Sequence, residues 1–434
     1  MSLQIKTNCV RNSAGGTITG VVSLHLLNSP LEIDHLAVTL SGRAQTDIDQ
    51  STTKTPGCVF QGQRVLFATK RTLIKKPTII AAPGPSCSWH FEFRIPHCCT
   101  AREGHAFRPF DRFNSDPEQR LPPAFASSYT KADGTHAANA AIIYELRASL
   151  LAKETRLQAV EPVHFMSTRP TEHPLHGETA AHAEVAFQSS RLTQHESTTS
   201  LQHHHRRGLR STLSRKDLAF AAFWLVLRGS DKAIIGQSFP LHLSIRLDDS
   251  PSALSPTKPA VYLQRLQVIL RAHNSIRCTG SQCFKQNGCK FIHRGDEFED
   301  WDEELLLESC DLKTSRPETG RRRGRRGRSS LPRISSLRGI EIPTANDETV
   351  TSGLDLRQHT TIPSYVVPSF KSHIISRTYT LETSVVVRCA EKDSPVTFVN
   401  RDFELLAQDF TAPEVRGRPA ALNRFGTYES DFVQ

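Results

Sequence analysis

Apolar and polar residues alternate along several stretches of this chain, most clearly at Ile142-Ile143-Tyr144-Glu145-Leu146-Arg147-Ala148-Ser149-Leu150. Ile142, Tyr144, Leu146, Ala148 and Leu150 share one face, and Ile143, Glu145, Arg147 and Ser149 share the other. Successive side chains of a strand point to opposite sides of a sheet, so this period of two predicts a strand with one face in a core. A helix would space its apolar residues three and four apart. Trp89, Phe91, Phe93 and Ile95 repeat the pattern against His90, Glu92 and Arg94. Val22, Leu24 and Leu26 do so again, and after a turn at Asn28-Ser29-Pro30 come Leu36, Val38 and Leu40, closed by Gly42.

The period fades from Ser167 to Lys216, where His, Thr, Ser, Gln and Arg dominate, and a flexible linker is predicted there. Strands resume at Leu218. Leu241, Leu243, Ile245 and Leu247 alternate with His242, Ser244, Arg246 and Asp248, and Val261 to Arg271 predicts a further strand ending near Ile276-Arg277. From about residue 278 to 361 lie an acidic block (Asp296 to Glu308), a basic run (Arg321 to Arg328) and a Ser/Pro-rich stretch. Like charges repel and stay solvated, so this segment is predicted to be a disordered insertion. Tyr379, Leu381, Thr383, Val385, Val387 and Cys389 then share the face of a last long strand.

Several of these pieces come in a recognisable order. A strand ending in Ile95-Pro96, the turn Leu121-Pro122-Pro123-Ala124-Phe125, and a strand with Tyr144, Leu146 and Ala148 two apart resemble the amino-terminal domain of arrestin-like proteins, in particular fungal α-arrestins. Gly20, Val22 and Leu24 look like the opening of that domain. Pro368-Ser369-Phe370, Ile374-Ile375-Ser376-Arg377 and Tyr379-Thr380-Leu381 resemble the last strands of the carboxy-terminal arrestin-like domain. The resemblance implies an all-β chain of two tandem antiparallel, immunoglobulin-like β-sandwiches. Their expected limits are residues 1–166 and 217–410, with the linker at 167–216, the insertion at about 278–361 inside the second sandwich, and a tail at 411–434.

Composition adds direction to this outline. With 54 Lys and Arg against 44 Asp and Glu, the net charge is +10, which favours acidic partners. There is no run of apolar residues long enough to cross a bilayer as a helix and no signal-peptide pattern at Met1 to Val10. The chain is therefore expected to be cytoplasmic, recruited to plasma membrane or endosomes and compatible with nuclear entry, with its ten cysteines as reduced thiols. Cys98-Cys99 is read as packing rather than redox chemistry.

No phosphate loop, nucleophile elbow or metalloprotease helix is present, so an enzyme, a cofactor and a metal centre are not expected. Lys70, Arg71, Lys75 and Lys76 form a basic cluster that could pair with phosphate oxygens of a phosphorylated tail or an inositol lipid, as the arrestin resemblance implies, or simply guard a strand edge. What the resemblance implies for function is a non-enzymatic adaptor. It would bind cytoplasmic tails of membrane transporters or receptors, touch an anionic membrane surface, and bring them to a ubiquitin ligase for endocytosis. Pro-Pro-x-Tyr, the motif through which α-arrestins recruit such ligases, is missing; Ile362-Pro363-Ser364-Tyr365 is a degenerate relative or a strand lead-in, so ligase contact is expected to be indirect.

Two further motifs leave alternatives open. Cys278, Cys283, Cys289 and His293 have a spacing similar to CCCH zinc fingers, and with Arg321 to Arg328 they define the competing reading of a nucleic-acid-binding protein, against which chance thiols are weighed. Asp302-Glu303-Glu304-Leu305-Leu306-Leu307 fits an acidic dileucine sorting pattern.

Overall fold

A computed structural model of the chain describes residues 1–8, 12–26, 31–52, 55–80, 87–100, 112–113, 119–132, 134, 136–153, 155–166, 177–189, 219–247, 260–278, 280–284, 290–291, 297–311, 340–343, 353–389 and 392–407. Apart from one 3-10 turn at Arg357–His359, every regular element among them is a strand. β1 (Ser2–Thr7), β2 (Thr17–His25), β3 (Leu31–Ile33), β4 (His35–Thr52), β5 (Thr55–Ile74), β6 (Thr78–Ile80) and β7 (Cys87–Arg94) come first. β8 (Phe125–Thr130), β9 (His136–Ala152), β10 (Thr155–Pro162), β11 (Glu178–Ser189), β12 (Ala219–Ser230), β13 (Lys232–Ile234), β14 (Leu241–Leu247) and β15 (Val261–Cys278) follow. The last are β16 (Gly280–Phe284), β17 (Lys290–Phe291), β18 (Glu297–Asp311), β19 (Ile340–Glu341), β20 (Leu354–Asp355), β21 (Phe370–Lys371), β22 (Ile375–Cys389) and β23 (Lys392–Leu406).

These strands form two antiparallel sandwiches, as the alternation predicts. In the first, the sheet β1-β2-β7 and the sheet β10-β9-β4-β5-β16-β17, with β8 paired to β9, bury one shared core. Ile142, Tyr144, Leu146, Ala148 and Leu150 all face it, and so do Phe91, Phe93 and Ile95. Tyr144 fixes the turn between them: its hydroxyl donates to the Pro122 carbonyl at 2.6 Å, while its ring packs 4.6 Å from that of Phe165. Gly42 lies opposite on β4, where an added Cβ would come within 2.6 Å of the Tyr144 ring. In the second sandwich, β11-β12-β14-β20 packs on β13-β23-β22-β15-β18, with β19 on β15 and β21 on β22. Only β13 and β23 pair in parallel among the strand pairs described.

Two expectations are corrected. Within the segment read as a linker, β11 pairs with β12 from Glu178↔Ser230 to Ser189↔Ala219, and Val185 and Phe187 enter the second core. The strand was hidden because its inward positions begin with the small residues Ala181 and Ala183, which add little to local hydrophobicity while still alternating with His182 and Glu184. Residues 167–176 and 190–216, the rest of that segment, lie outside the described residues.

The segment read as a disordered insertion contains β16 to β20, and its acidic block is the long edge strand β18. Acidic residues tolerate this strand because they alternate with Trp301, Leu305 and Leu307, which pack inward, and because Arg271 and His273 on β15 face two of them. Arg271 pairs with Glu304 at 2.6 Å and His273 with Asp302 at 2.6 Å. An opposite charge directly across a ladder, as Arg271 offers Glu304, stabilises it by a few tenths of a kcal/mol to ~1 kcal/mol. Arg321 to Arg328 and the 411–434 tail lie outside the described residues.

The sandwiches share strands at their junction. β15 runs out of the second core, and its last residues, Ile276 and Cys278, are buried in the first. Gly62 on β5 makes room for it: a Cβ there would meet Thr46 Oγ1 at 2.3 Å and the Arg277 carbonyl at 2.9 Å, the same carbonyl that accepts from Thr46 Oγ1. Gly62→Ala is expected to destabilise the protein by roughly 1–3 kcal/mol, the usual cost of overpacking, with a lower midpoint in urea and an unchanged slope. An unchanged midpoint would show that the β15 end can withdraw at no cost.

Candidate functional site

Three neighbouring strands of the second sandwich each change character at the same level. On β22, Val387, Val385, Leu381 and Tyr379 line the second core, Arg377 follows, and Ile375 is buried in the first core. On β15 the order is Leu266, Val268, Leu270 and Ala272, then Asn274, then Ile276. On β18 it is Leu307 and Leu305, then Glu303, then Trp301. Asn274 is in register with both Arg377 and Trp301, and Ala272 with both Tyr379 and Glu303. Ala272 is small, which leaves room for the Arg377 guanidinium to cross between the rows.

The resulting polar layer is closely satisfied. Arg377 donates through Nη2 to Glu303 Oε2 at 3.0 Å, through Nη1 to Asn274 Oδ1 at 2.7 Å and through Nε to the Tyr379 hydroxyl at 2.7 Å. Tyr379 donates onward to the Val367 carbonyl at 2.6 Å, and Asn274 Nδ2 donates to Glu303 Oε1 at 3.0 Å. The first sandwich closes the layer through β8. Ser127 donates to Glu303, Trp301 Nε1 donates to Ser127 Oγ at 3.2 Å, and the Arg377 guanidinium sits 5.4 Å from the Phe125 ring centre. His136–Glu299, Arg112–Asp300 and the Tyr129–Trp301 ring stack add contacts around it.

Electrostatics follow from this geometry. Burial pushes the Glu303 carboxyl up, but the bond to Arg377, its charge, and the Ser127 and Trp301 donors outweigh burial and hold it below the usual carboxylate range. For Arg377, burial acts to lower the pKa, and Tyr379 and Glu303 more than reverse it, so the guanidinium stays charged. Sequence reading missed this layer because its members are scattered along the chain, Asn274 lying 29 residues from Glu303 and Glu303 74 from Arg377; the signal was a lone polar residue on each apolar strand face, visible for Arg377 two places before Tyr379.

The basic cluster occupies a different place. Lys70 and Arg71 lie near the end of β5, with Lys75 and Lys76 in the turn that follows, and all four are exposed. β16 covers the outer edge of β5 only from Val59 to Gln61 and Cys58, and the Leu66 carbonyl accepts from the Thr100 N–H at 2.9 Å. Beyond Leu66 no strand pairs with that edge among the described residues, and Arg71 Nη1 donates across to the Glu92 carbonyl on β7 at 3.2 Å. The basic cluster and the polar layer are therefore separate sites.

Ile362-Pro363-Ser364-Tyr365 is no strand lead-in. Ile362 is buried, its N–H donates to the Gln237 carbonyl at 3.0 Å, and the Val366 N–H closes a turn on the Pro363 carbonyl at 3.2 Å. Tyr365 projects with 71% of its surface exposed. Leu305 and Leu307 of the dileucine pattern pack on the second core, leaving only Leu306 outward. Of the four candidate zinc ligands, Cys278 is buried with its thiol donating to Thr46, and Cys283 lies on β16, while Cys289 and His293 fall outside the described residues.

Cys98 and Cys99 form no disulfide, and burial pushes the Cys99 thiol up to about 11, which leaves it protonated near neutral pH. No helix among the described residues is long and apolar enough to cross a membrane. No protein-family model matches the chain, and no curated protein matches it.

Glu303 supplies a pH dependence with a definite sign. A carboxylate held low in the folded state stabilises fully above its unfolded value, near 4.5, and that contribution is lost as pH falls through the folded value. Stability measured in urea from pH 6 to pH 3 is expected to fall less steeply for Glu303→Gln than for the wild type. Equal slopes would remove the layer from the acid response. Arg377→Met is expected to cost on the order of 2 kcal/mol, below the roughly 3–5 kcal/mol of a fully enclosed pair because the Glu303 side chain keeps 40% of its surface in water.

Proposed function

We propose that the protein is a non-enzymatic adaptor of the arrestin-like type, which takes acidic or phosphorylated cytoplasmic tails of membrane transporters or receptors and carries them toward ubiquitin-linked endocytosis. The observation that supports this reading is the exposed basic cluster at Lys70, Arg71, Lys75 and Lys76, set where one edge of β5 lacks a strand partner among the described residues. An extended tail laid along that edge gains main-chain pairing, and its phosphates or carboxylates gain charge-assisted bonds from the flanking cations. Each contact is weak, so engagement at a membrane would rest on several at once. Tandem sandwiches joined by shared strands, and the segments Leu121-Pro122-Pro123-Ala124-Phe125 and Pro368-Ser369-Phe370 leading into β8 and β21, accord with the resemblance. Ligase contact is proposed to be indirect, since the turn at Pro363 to Val366 does not present the extended helix that a WW domain reads.

Proximity labelling in cells tests this with the intact chain and a variant carrying Lys70→Glu, Arg71→Glu, Lys75→Glu and Lys76→Glu. The intact chain is expected to label plasma-membrane transporters and ubiquitin-ligase components, and the variant to lose the transporters by ten-fold or more while remaining folded by circular dichroism. Recovery of RNA and RNA-binding proteins by both chains alike would overturn the adaptor reading in favour of nucleic-acid binding.

A further inference from the structure

A second chemical cluster lies on the far part of β18, away from both sites above. β18 pairs with β15 in steady register from Cys278↔Glu297 to Ile269↔Leu306, and then Val268 pairs with Glu308, so Leu307 is an extra residue on β18. A bulge of this kind reverses which face the following residues present. Before it, Trp301, Glu303, Leu305 and Leu307 point inward; after it, Glu308 and Cys310 do. Without the bulge, Ser309 would take the inward position and the two would point to water.

His359 meets them from the 3-10 turn. That turn is anchored: the His359 N–H donates to the Leu356 carbonyl at 2.9 Å, and the buried Thr360 hydroxyl bonds the Phe239 carbonyl at 2.6 Å and the Arg357 carbonyl at 2.8 Å. His359 Nδ1 lies 3.3 Å from Glu308 Oε2, and one ligand atom from each of Glu308, Cys310 and His359 falls within 4.8 Å of the others. All three side chains are half-buried, and Cys310 is in no disulfide.

We infer that Glu308, Cys310 and His359 form a binding site for a divalent ion of the zinc type. Carboxylate oxygen, thiolate and imidazole are the zinc ligand set, and three protein ligands leave a fourth position for water or a partner's donor. A magnesium- or calcium-like ion would instead need an oxygen shell. Binding replaces the thiol proton of Cys310 and moves the proton of the neutral imidazole from Nδ1 to Nε2, so one proton leaves per ion and affinity rises with pH. Gln358 Nε2 lies 3.0 Å from His359 Nε2; with the ion on Nδ1, Nε2 carries the proton and the Gln358 amide turns its oxygen to accept it. The ion would tie the edge strand β18 to the turn beside β20, which gives it a structural part in holding the strand that carries Glu303. No motif in the sequence announces this site, since 49 positions separate Cys310 from His359, and the expectation there is of no metal.

The test uses the full chain, reduced, stripped with a chelator and titrated anaerobically with Co²⁺ as the spectroscopic stand-in for zinc. One equivalent is expected to give a thiolate-to-cobalt charge-transfer band, removable by Zn²⁺. Cys310→Ser should abolish the band and His359→Asn weaken apparent affinity at least ten-fold, while Cys289→Ser leaves both unchanged. Should Cys310→Ser fold poorly, mass spectrometry of the wild type serves instead, with Zn²⁺ expected to protect Cys310 from alkylation at least ten-fold. A band that survives Cys310→Ser but is lost in Cys289→Ser, no saturable band, or no protection of Cys310 would each overturn the site.

Discussion

The polar layer around Arg377 is the constraint on which the arrangement of both sandwiches depends. β22, β15 and β18 pass through it with one core on either side, so an apolar substitution at this level would merge two hydrophobic interiors, while an unpaired charge would sit nearly enclosed between them. The layer avoids both by satisfying a single guanidinium with Glu303, Asn274 and Tyr379, each from a different position on the sheet. β8 contributes Phe125 and Ser127, so the first sandwich completes a site built on the second. Apolar surface would hold the sandwiches together in many orientations, because it is non-directional. Directed bonds at fixed points select one.

Period-two alternation made most of the fold legible. It marked the inward faces of β9, β7 and β22 residue by residue, because one buried face leaves a strong imprint where the other face is wet. Where it failed, a second influence masked the pattern. β11 is inward-facing through two alanines before it reaches Val185, and β18 carries so many carboxylates that its charge density reads as solvation. That charge is balanced by cations from elsewhere in the fold, Arg271 on β15, Arg377 on β22 and Arg112, and such balance cannot be read until the pairing is known. The basic cluster was legible for the opposite reason. Lys70, Arg71, Lys75 and Lys76 are neighbours in the chain, so no fold was needed to bring them together, though only the fold shows that they border an edge with no strand partner among the described residues.

An open edge next to cations meets two opposing demands. Lysines on an edge discourage pairing with another copy, since like charges would meet. The same lysines favour an acidic strand, whose charge cancels theirs. Edge protection and acidic-tail binding are thus one electrostatic device seen from two partners, and the difference lies in what approaches. On β7, Glu92 lends its carbonyl to Arg71, which holds one of the four cations near the edge rather than free in water.

Among the described residues β18 pairs with β15 alone, yet its register leaves little freedom. A slip of one residue would turn Asp302 and Glu304 into the cores and expel Trp301, Glu303 and Leu305. The acidic character that hid this strand in the sequence is therefore also what fixes it: every misregistered pairing buries carboxylates without partners, at a cost of several kcal/mol each. The bulge at Leu307 is the single permitted departure, and it falls past the last of the outward acids that pair with β15, Glu304 with Arg271. Before the bulge the strand serves the joint between sandwiches. After it, the face presents Glu308 and Cys310 to His359, so the one irregularity in the ladder separates two kinds of chemistry on the same edge.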